Sequence, residues 1–463
     1  MPGTTASSPA RPRVVLLVDS KTRDLPVAAL IAHHLDALGV DCLLEPLEAY
    51  RAVLAAHRPD MIIFNHLTAS HLVKFSQRLA EIGVLTAVLS NEGINYDPDD
   101  LKFNSGKHHA GAHIDWFFCW NEPHRLALLE LGFGKHTRIE VVGVPRFDFY
   151  FEPWARAFFQ GQHTPRARPR VLLCTNFSLA KFAELPRHHG DKLFAAWKDR
   201  IPIYRDYWRA IESHAAASQR IFDYLEALVQ AGDMDIVLRP HPREAAGRYE
   251  EWLARLPDTQ RGRVTLDPTS AITPLILGCD LEISCETCTT ALESWIAGKS
   301  TVELLFAQHP MLCHPEHGAC STHCDSPGQL VPLIRQILDH GEAPEILTAR
   351  RRHLSKWCHT TDGASGQRLA TLIAGAVEEK RPADWSRLNA ADRRRGLKLK
   401  LLHNLDLAYH FDPLMPVKLR LNRGRYAIKN DSYEKAVKPS DVCEARLQLQ
   451  RAAAESGGNR AWL

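Results

Sequence analysis

The stretch Val14-Val15-Leu16-Leu17-Val18 is an unbroken apolar run that delivers the chain into Asp19-Ser20-Lys21-Thr22-Arg23-Asp24. A run with no polar alternation suits a strand buried on both faces of a parallel sheet, and the polar loop is where such a strand surfaces. Downstream, Ala28, Ile31, Ala32, Leu35 and Leu38 recur at helical spacing, and Gly39 stands where a left-handed cap closes a helix. A second strand over 41–44 completes a strand-helix-strand unit.

The alternation repeats. Apolar runs predict strands over 61–64, 85–89 and 116–120, with a helix over 70–82 and a last strand over 139–142. Gly143-Val144-Pro145-Arg146-Phe147-Asp148 then reads as a turn that ends the domain at a hinge. Beyond a connector rich in Arg and Pro at 164–169, the pattern restarts with strands over 171–174, 235–238, 264–266, 281–283 and 301–305. Helices are expected over 218–231 and 330–340. A chain of 463 residues with 45% hydrophobic content exceeds what one core serves. The expected fold is therefore α/β of the GT-B plan: two Rossmann-like domains, 12–150 and 165–380, with a central cleft, followed by a basic C-terminal extension over 381–463.

The eleven cysteines, an odd number spread from Cys42 to Cys443, do not form the framework of a small disulfide-stapled domain, and they fit a reducing cytoplasm. The first residues lack the apolar core of a signal peptide, and no run approaches the roughly 20 apolar residues of a membrane helix. The expectation is a soluble cytoplasmic protein. Net charge is only +3, yet Arg393 to Lys429 holds ten Lys or Arg against two Asp. In that stretch Leu397, Leu399, Leu401, Leu402, Leu405 and Leu407 mix with the cations. Two readings stay open: a segment resting on an anionic membrane surface, or a solvated helix packed back on the second domain. Aromatic residues are hardly interleaved with the charge, which argues against nucleic acid.

Three polar clusters fall at strand ends, where open α/β sheets gather ligands. The strand over 235–238 runs into Arg239-Pro240-His241-Pro242. A guanidinium fork and an imidazole on a stiff turn suit a phosphate, although Pro-His-Pro also makes an ordinary rigid turn. Ser284-Cys285-Glu286-Thr287-Cys288-Thr289-Thr290 follows a strand and opens a helix, so free amides and hydroxyls could cradle an anion or merely cap the helix. Glu286 could hold a ribose hydroxyl. In the first domain, Ser90-Asn91-Glu92-Gly93 offers Glu92 as a general base, the alternative being a plain turn. Lesser candidates are Asn176, in the loop Thr175 to Ser178, and Lys21, Arg23, His108 and His109 on the acceptor side. The stretch Cys313 to Cys324 lacks the paired spacing of a zinc site, so a loop rich in thiols and imidazoles is expected rather than a metal.

Taken together, Asn91-Glu92-Gly93, the 143–148 turn, Thr175-Asn176-Phe177-Ser178, Arg239-Pro240-His241-Pro242 and the 284–290 cluster resemble those of the bacterial surface carbohydrate biosynthesis proteins, over about 14–380. Their order is also similar to that of bacterial sialyltransferases and Kdo transferases, metal-independent GT-B enzymes that use CMP-sugars. Asn91 stands where the first acid of their acidic pair is usual, and Val144 where Asn is common. The resemblance implies an inverting glycosyltransferase that needs no cofactor and moves Kdo or a nonulosonate from a CMP-sugar to a glycan, lipid-linked or protein acceptor. Glu92 would be its base, His241 would assist the CMP phosphate, and Thr287, Thr289 and Thr290 would bind it. Arg239, Asn176, Ser284 and Glu286 complete the expected donor site. The rival readings are a CDP-glycerol-type glycerophosphotransferase and a non-catalytic polysaccharide assembly protein.

Overall fold

In the computed structural model, which describes residues 11–108, 111–159, 166–306, 309–422 and 436–458, all of β1 (Arg13–Val18) after Arg13 is buried. It pairs in parallel with β2 (Asp41–Pro46) on one side and β3 (Met61–Phe64) on the other. Next to β3 come β4 (Leu85–Leu89), β5 (Trp116–Cys119) and β6 (Arg138–Val141), giving the order β2-β1-β3-β4-β5-β6. The order reverses between β1 and β3, and the loops there part to leave a crevice at the strands' carboxyl ends. The helices α1 (Asp24–Ala37) and α2 (Tyr50–His57) each bury an apolar face, Leu25 to Leu35 in α1 and Ala52 to Ala56 in α2.

The second sheet is built from β7 (Arg170–Cys174), β8 (Asp235–Arg239), β9 (Val264–Leu266), β10 (Leu281–Cys285), β11 (Ser300–Leu304) and β12 (Thr322–His323). Its order, β9-β8-β7-β10-β11-β12, is the dinucleotide-fold order and reverses between β7 and β10. Val171, Leu173, Ile236, Leu238, Ile283 and Val302 pack there against Ile221, Leu225 and Leu228 of the helix Tyr207–Ala231. The chain is thus α/β with two Rossmann-like halves, as its strand pattern requires. The helix Tyr207–Ala231 starts well before the expected 218, because Tyr207, Ala210, Ile211 and His214 continue its buried stripe.

Contacts divide the chain into one unit of Met1–Ile94, Asn104–Asp148 and Asp362–Leu463, and another of Asn95–Phe103 and Phe149–Thr361. This grouping differs from a second domain ending at 380, and the reason is physical. The helix Ser365–Glu378 packs on α1, and the backbone N–H groups of Ser365 and Gly366 donate to the Asp148 carboxylate at 3.1 and 2.7 Å. Gly366 allows this approach, since a Cβ there would lie 3.3 Å from that carboxylate and 3.4 Å from Leu30.

The start of the basic extension belongs to the first unit as well. Its helix Ala390–Asn404 opens on a reciprocal capping box between Asn389 and Asp392. Asp392 pairs with Arg78, and Leu399 enters the core around β1 and β3. Gly396 lies so close to α2 that a Cβ would meet the Ala56 nitrogen at 2.9 Å. At the far end His403 and His57 flank the buried Glu45 carboxylate at 3.1 and 2.6 Å. Burial pushes that carboxyl up, and the two imidazoles outweigh it, holding it below the usual range. This docking supplies part of the sheet's cover, a role the charge run did not reveal.

Gly396→Leu should therefore prise the helix Ala390–Asn404 from α2, at a cost of about 1–3 kcal/mol from overpacking. Hydrogen exchange would show faster amide exchange in that helix and in α2, with β7 to β12 unchanged. Unchanged exchange in both helices would contradict the packing.

Candidate functional site

In the second unit the loops after β7, β8 and β10 emerge side by side, because Cys174 is in register with both Arg239 and Ser284. This is the reversal point of the sheet. One carboxylate, Glu244, ties two of the loops together. It accepts from the Thr175 hydroxyl at 2.9 Å, the Phe177 amide at 2.7 Å, the His241 amide at 3.3 Å and the Tyr249 hydroxyl at 2.7 Å. Burial pushes this carboxyl up and the donors pull it back. Glu244 escaped the sequence reading, which stopped at Pro242. The signal available was an acid two residues beyond the His-Pro turn.

The half-buried His241 ring has a defined tautomer. The Arg243 amide donates to Nδ1 at 3.1 Å, which leaves the proton on Nε2. Burial, then the charges of Arg243, Arg239 and Lys181, lower its pKa to about 4. The imidazole is therefore neutral at physiological pH, a hydrogen-bond donor set in positive surroundings, which is what a phosphate oxygen requires. The Arg239 guanidinium is turned to backbone carbonyls, those of Asp267 at 3.3 Å and Ser270 at 2.8 Å. It fixes the loop after β9 and adds charge at a distance instead of offering an open fork. Behind the turn lies His214 of the helix Tyr207–Ala231, buried, with no partner at Nε2 among the described residues, and lowered to about 4 by burial and by the neighbouring His241. It too went unnoticed, as a lone histidine inside a helical pattern.

The third loop is strained. Glu286 and Thr287 both take left-handed backbone conformations, φ 57° and 49°, which cost L-residues roughly 1–2 kcal/mol each. Side chains hold them there. Buried Glu303 on β11 accepts the Thr287 amide at 2.7 Å, the Thr287 hydroxyl donates to the Leu312 carbonyl at 2.9 Å, and the Glu286 carboxylate accepts the Phe306 amide at 3.0 Å. Ser284 is fully buried within β10. The helix opens only at Thr289 (Thr289–Ile296), so Thr289 and Thr290, exposed and half-buried, stand at its positive end. Ser284, Glu286 and Thr287 thus build the turn from within, and the Thr290 hydroxyl is buried too, while exposed Thr289, half-exposed Asn176 and His241 follow the neighbouring strand ends of β10, β7 and β8.

The first unit has its own notch at the reversal between β1 and β3. Arg23, Asp24, Asn65, Ser90, Asn91, Trp120 and Arg146 line it, with a cavity of about 40 Å³. That is the room of a few waters. Asp24 dominates its polarity: the Ser20 amide at 3.0 Å, Arg23 Nε at 2.8 Å and Asn91 Nδ2 at 3.2 Å all donate to its carboxylate. Burial raises its pKa, opposed by Arg23. Asn65 is buried beside it with no partner at Nδ2. Glu92 is next to the notch, its side chain 85% exposed and Oε1 3.6 Å from Arg23. Lys21 is paired with Asp441 at 2.6 Å. His108 is buried against Phe117, accepts the Leu67 amide at 3.4 Å, and is lowered to about 3 by burial, which makes it part of the core. His109 lies outside the described residues.

One histidine of the cysteine-rich stretch, His317, and the more distant His353 hold Tyr96. The Tyr96 hydroxyl meets His317 Nδ1 at 2.7 Å and His353 Nε2 at 3.2 Å, with Trp295 and Trp357 packed around them. Among the described residues no three His, Cys, Asp or Glu converge as a metal ion would need.

No protein-family model and no curated protein matches the chain. Solved structures do match it. Staphylococcus aureus MnaA, solved with UDP, is 10% identical, with 81% of this chain and 100% of that one covered and a TM-score of 0.47. A UDP-GlcNAc 2-epimerase from Neisseria meningitidis bound to UDP-GlcNAc is 12% identical over 79% and 99%, with a TM-score of 0.45. The glycosyltransferase VinC in complex with dTDP is 13% identical over 79% and 100%, with a TM-score of 0.40. Likenesses at this level carry no argument about chemistry.

The strained turn has a pH signature. Burial lifts the Glu303 carboxyl to about 8. An acid whose pKa is higher folded than unfolded stabilises fully below its unfolded value, near 4.5, and loses that contribution as pH rises through about 8. Calorimetry should find the melting temperature falling across this window, and Glu303→Gln, which keeps the acceptor oxygen but cannot ionise, should flatten the fall by on the order of 5 kcal/mol. An unchanged profile in the variant would show that Glu303 is not the group responsible.

Proposed function

We propose that this chain is an inverting glycosyltransferase of surface carbohydrate assembly, taking Kdo or a nonulosonate from a CMP-sugar. The observation that supports this best is the reversal point between β7 and β10. There the His241 turn, with a neutral Nε2–H and cations around it, and the amino end of Thr289–Ile296 follow strand ends on either side of β7. The imidazole N–H donates and Arg239 adds charge at a distance, a combination suited to a phosphate whose charge grows as the sugar leaves. The order of motifs supports CMP as the nucleotide.

In the mechanism, the bond between the anomeric carbon and the phosphate oxygen breaks as the acceptor hydroxyl attacks from the opposite face. His241 donates a hydrogen bond to the departing oxygen. Negative charge arriving beside the imidazole raises its pKa, so nucleotide binding is expected to tighten as pH falls toward the bound-state pKa. The hydroxyl proton passes to a carboxylate of the first unit. Glu92 is our primary assignment, since its exposed carboxylate can reach an acceptor freely. Asp24 is the second, favoured by burial in the notch and by the Asn91 amide that orients it.

Purified protein supplied with CMP-Kdo or CMP-sialic acid and glycan acceptors should transfer sugar without added metal. Glu92→Gln should lower kcat about 10²-fold or more, consistent with loss of a general base. His241→Ala should lower kcat/KM with a smaller effect on acceptor KM. If Glu92→Gln keeps wild-type rates while Asp24→Asn is inactive but folded, the proton goes to Asp24. If both carboxylate variants and His241→Ala all work like wild type, the mechanism is wrong. Phosphodiester products would support glycerophosphotransfer instead, and a calorimetric screen finding no affinity for CMP, CDP or UDP would favour an assembly protein.

A further inference from the structure

The docked face of the helix Ala390–Asn404 presents Asp392, Gly396 and Leu399 to the first unit. The opposite face carries a stripe that none of the described residues covers. Leu397, Leu401 and Leu405 follow one another at four-residue intervals, so they line up on one side of the helix. The helix Met415–Leu421 repeats the device with Leu414, Val417 and Leu421. All six side chains are between 53% and 81% exposed. Exposed Arg393, Arg394, Lys398 and Lys400 border the first stripe and exposed Arg420 the second. The acids nearby are engaged: Asp406 accepts the Ser440 amide at 2.8 Å and Asp412 pairs with Lys418 at 2.5 Å.

We infer that the exposed face of the helix Ala390–Asn404 is a docking surface for an anionic lipid bilayer. The argument is charge complementarity joined to the apolar stripe. Leucines flanked by cations match the boundary between acyl chains and negatively charged headgroups, where a helix lies in the plane of the surface. A second copy of the chain fits less well, because stacking this face on itself brings Arg393, Arg394, Lys398 and Lys400 against their own counterparts. The docking helix is fastened to α2 by its other side, so binding needs no rearrangement of the first unit. No described helix is long and apolar enough to span a membrane, and this contact is with the surface alone. The inference is independent of the proposed transfer reaction.

The test is co-sedimentation of the full chain with vesicles of phosphatidylcholine, with and without phosphatidylglycerol. We expect binding to the mixed vesicles only, weakened by salt. Leu401→Glu should reduce the vesicle partition coefficient roughly tenfold or more, and Lys398→Ala or Lys400→Ala roughly fivefold each. Because these side chains are exposed, the variants should melt like the wild type. Equal partition onto pure phosphatidylcholine, or no effect of Leu401→Glu, would overturn the inference. So would light scattering that finds a dimer split by that substitution, since the stripe would then be an interface between copies.

Discussion

The carboxylate of Asp148 joins the place where the chain leaves its first unit to the place where it returns. Two backbone donors of the helix Ser365–Glu378 meet it, amides that otherwise lack acceptors in the first turn. Burial pushes this carboxyl up to about 6 even though both amides and Arg368 favour its charge. The remaining C-terminal structure depends on that contact. The returning helix covers α1, and the docked helix Ala390–Asn404 then covers α2, so the first sheet is finished by residues far from it in sequence.

In the second unit the ends of three neighbouring strands come side by side. Its loops are not free. Glu244 fixes two of them through four donors, and Glu303 with Glu286 holds a left-handed pair of residues in the third. Buried carboxylates thus work behind the surface while neutral or cationic groups face outward. That division suits a site for an anion, because Glu244, Glu286 and Glu303 each accept backbone donors of the protein itself.

The strands were legible because each is a short, nearly uniform apolar run, and β3, β4 and β9 fall where those runs lie. The two-residue β12 was not, since Thr322 and His323 offer no such run. The site was legible as an address more than as a set of contacts. The strands were expected to end at Leu238 and Ile283, one and two residues short of Arg239 and Cys285, and the direction of the Arg239 fork, the inward turn of Glu286 and the bracing by Glu244 depend on partners distant in sequence. Asp24 was visible only as the end of a polar loop. Its partner Asn91 comes from the far side of the reversal point, a pairing that strand order dictates and local spacing cannot.

A structure of the chain soaked with CMP would test the central claim most directly. The nucleotide phosphate is expected outside the carboxyl ends of β7, β8 and β10, with an oxygen in hydrogen-bond reach of His241 Nε2 and of the Thr289 amide. Phosphate density on any other face, with His241 facing only solvent, would contradict it.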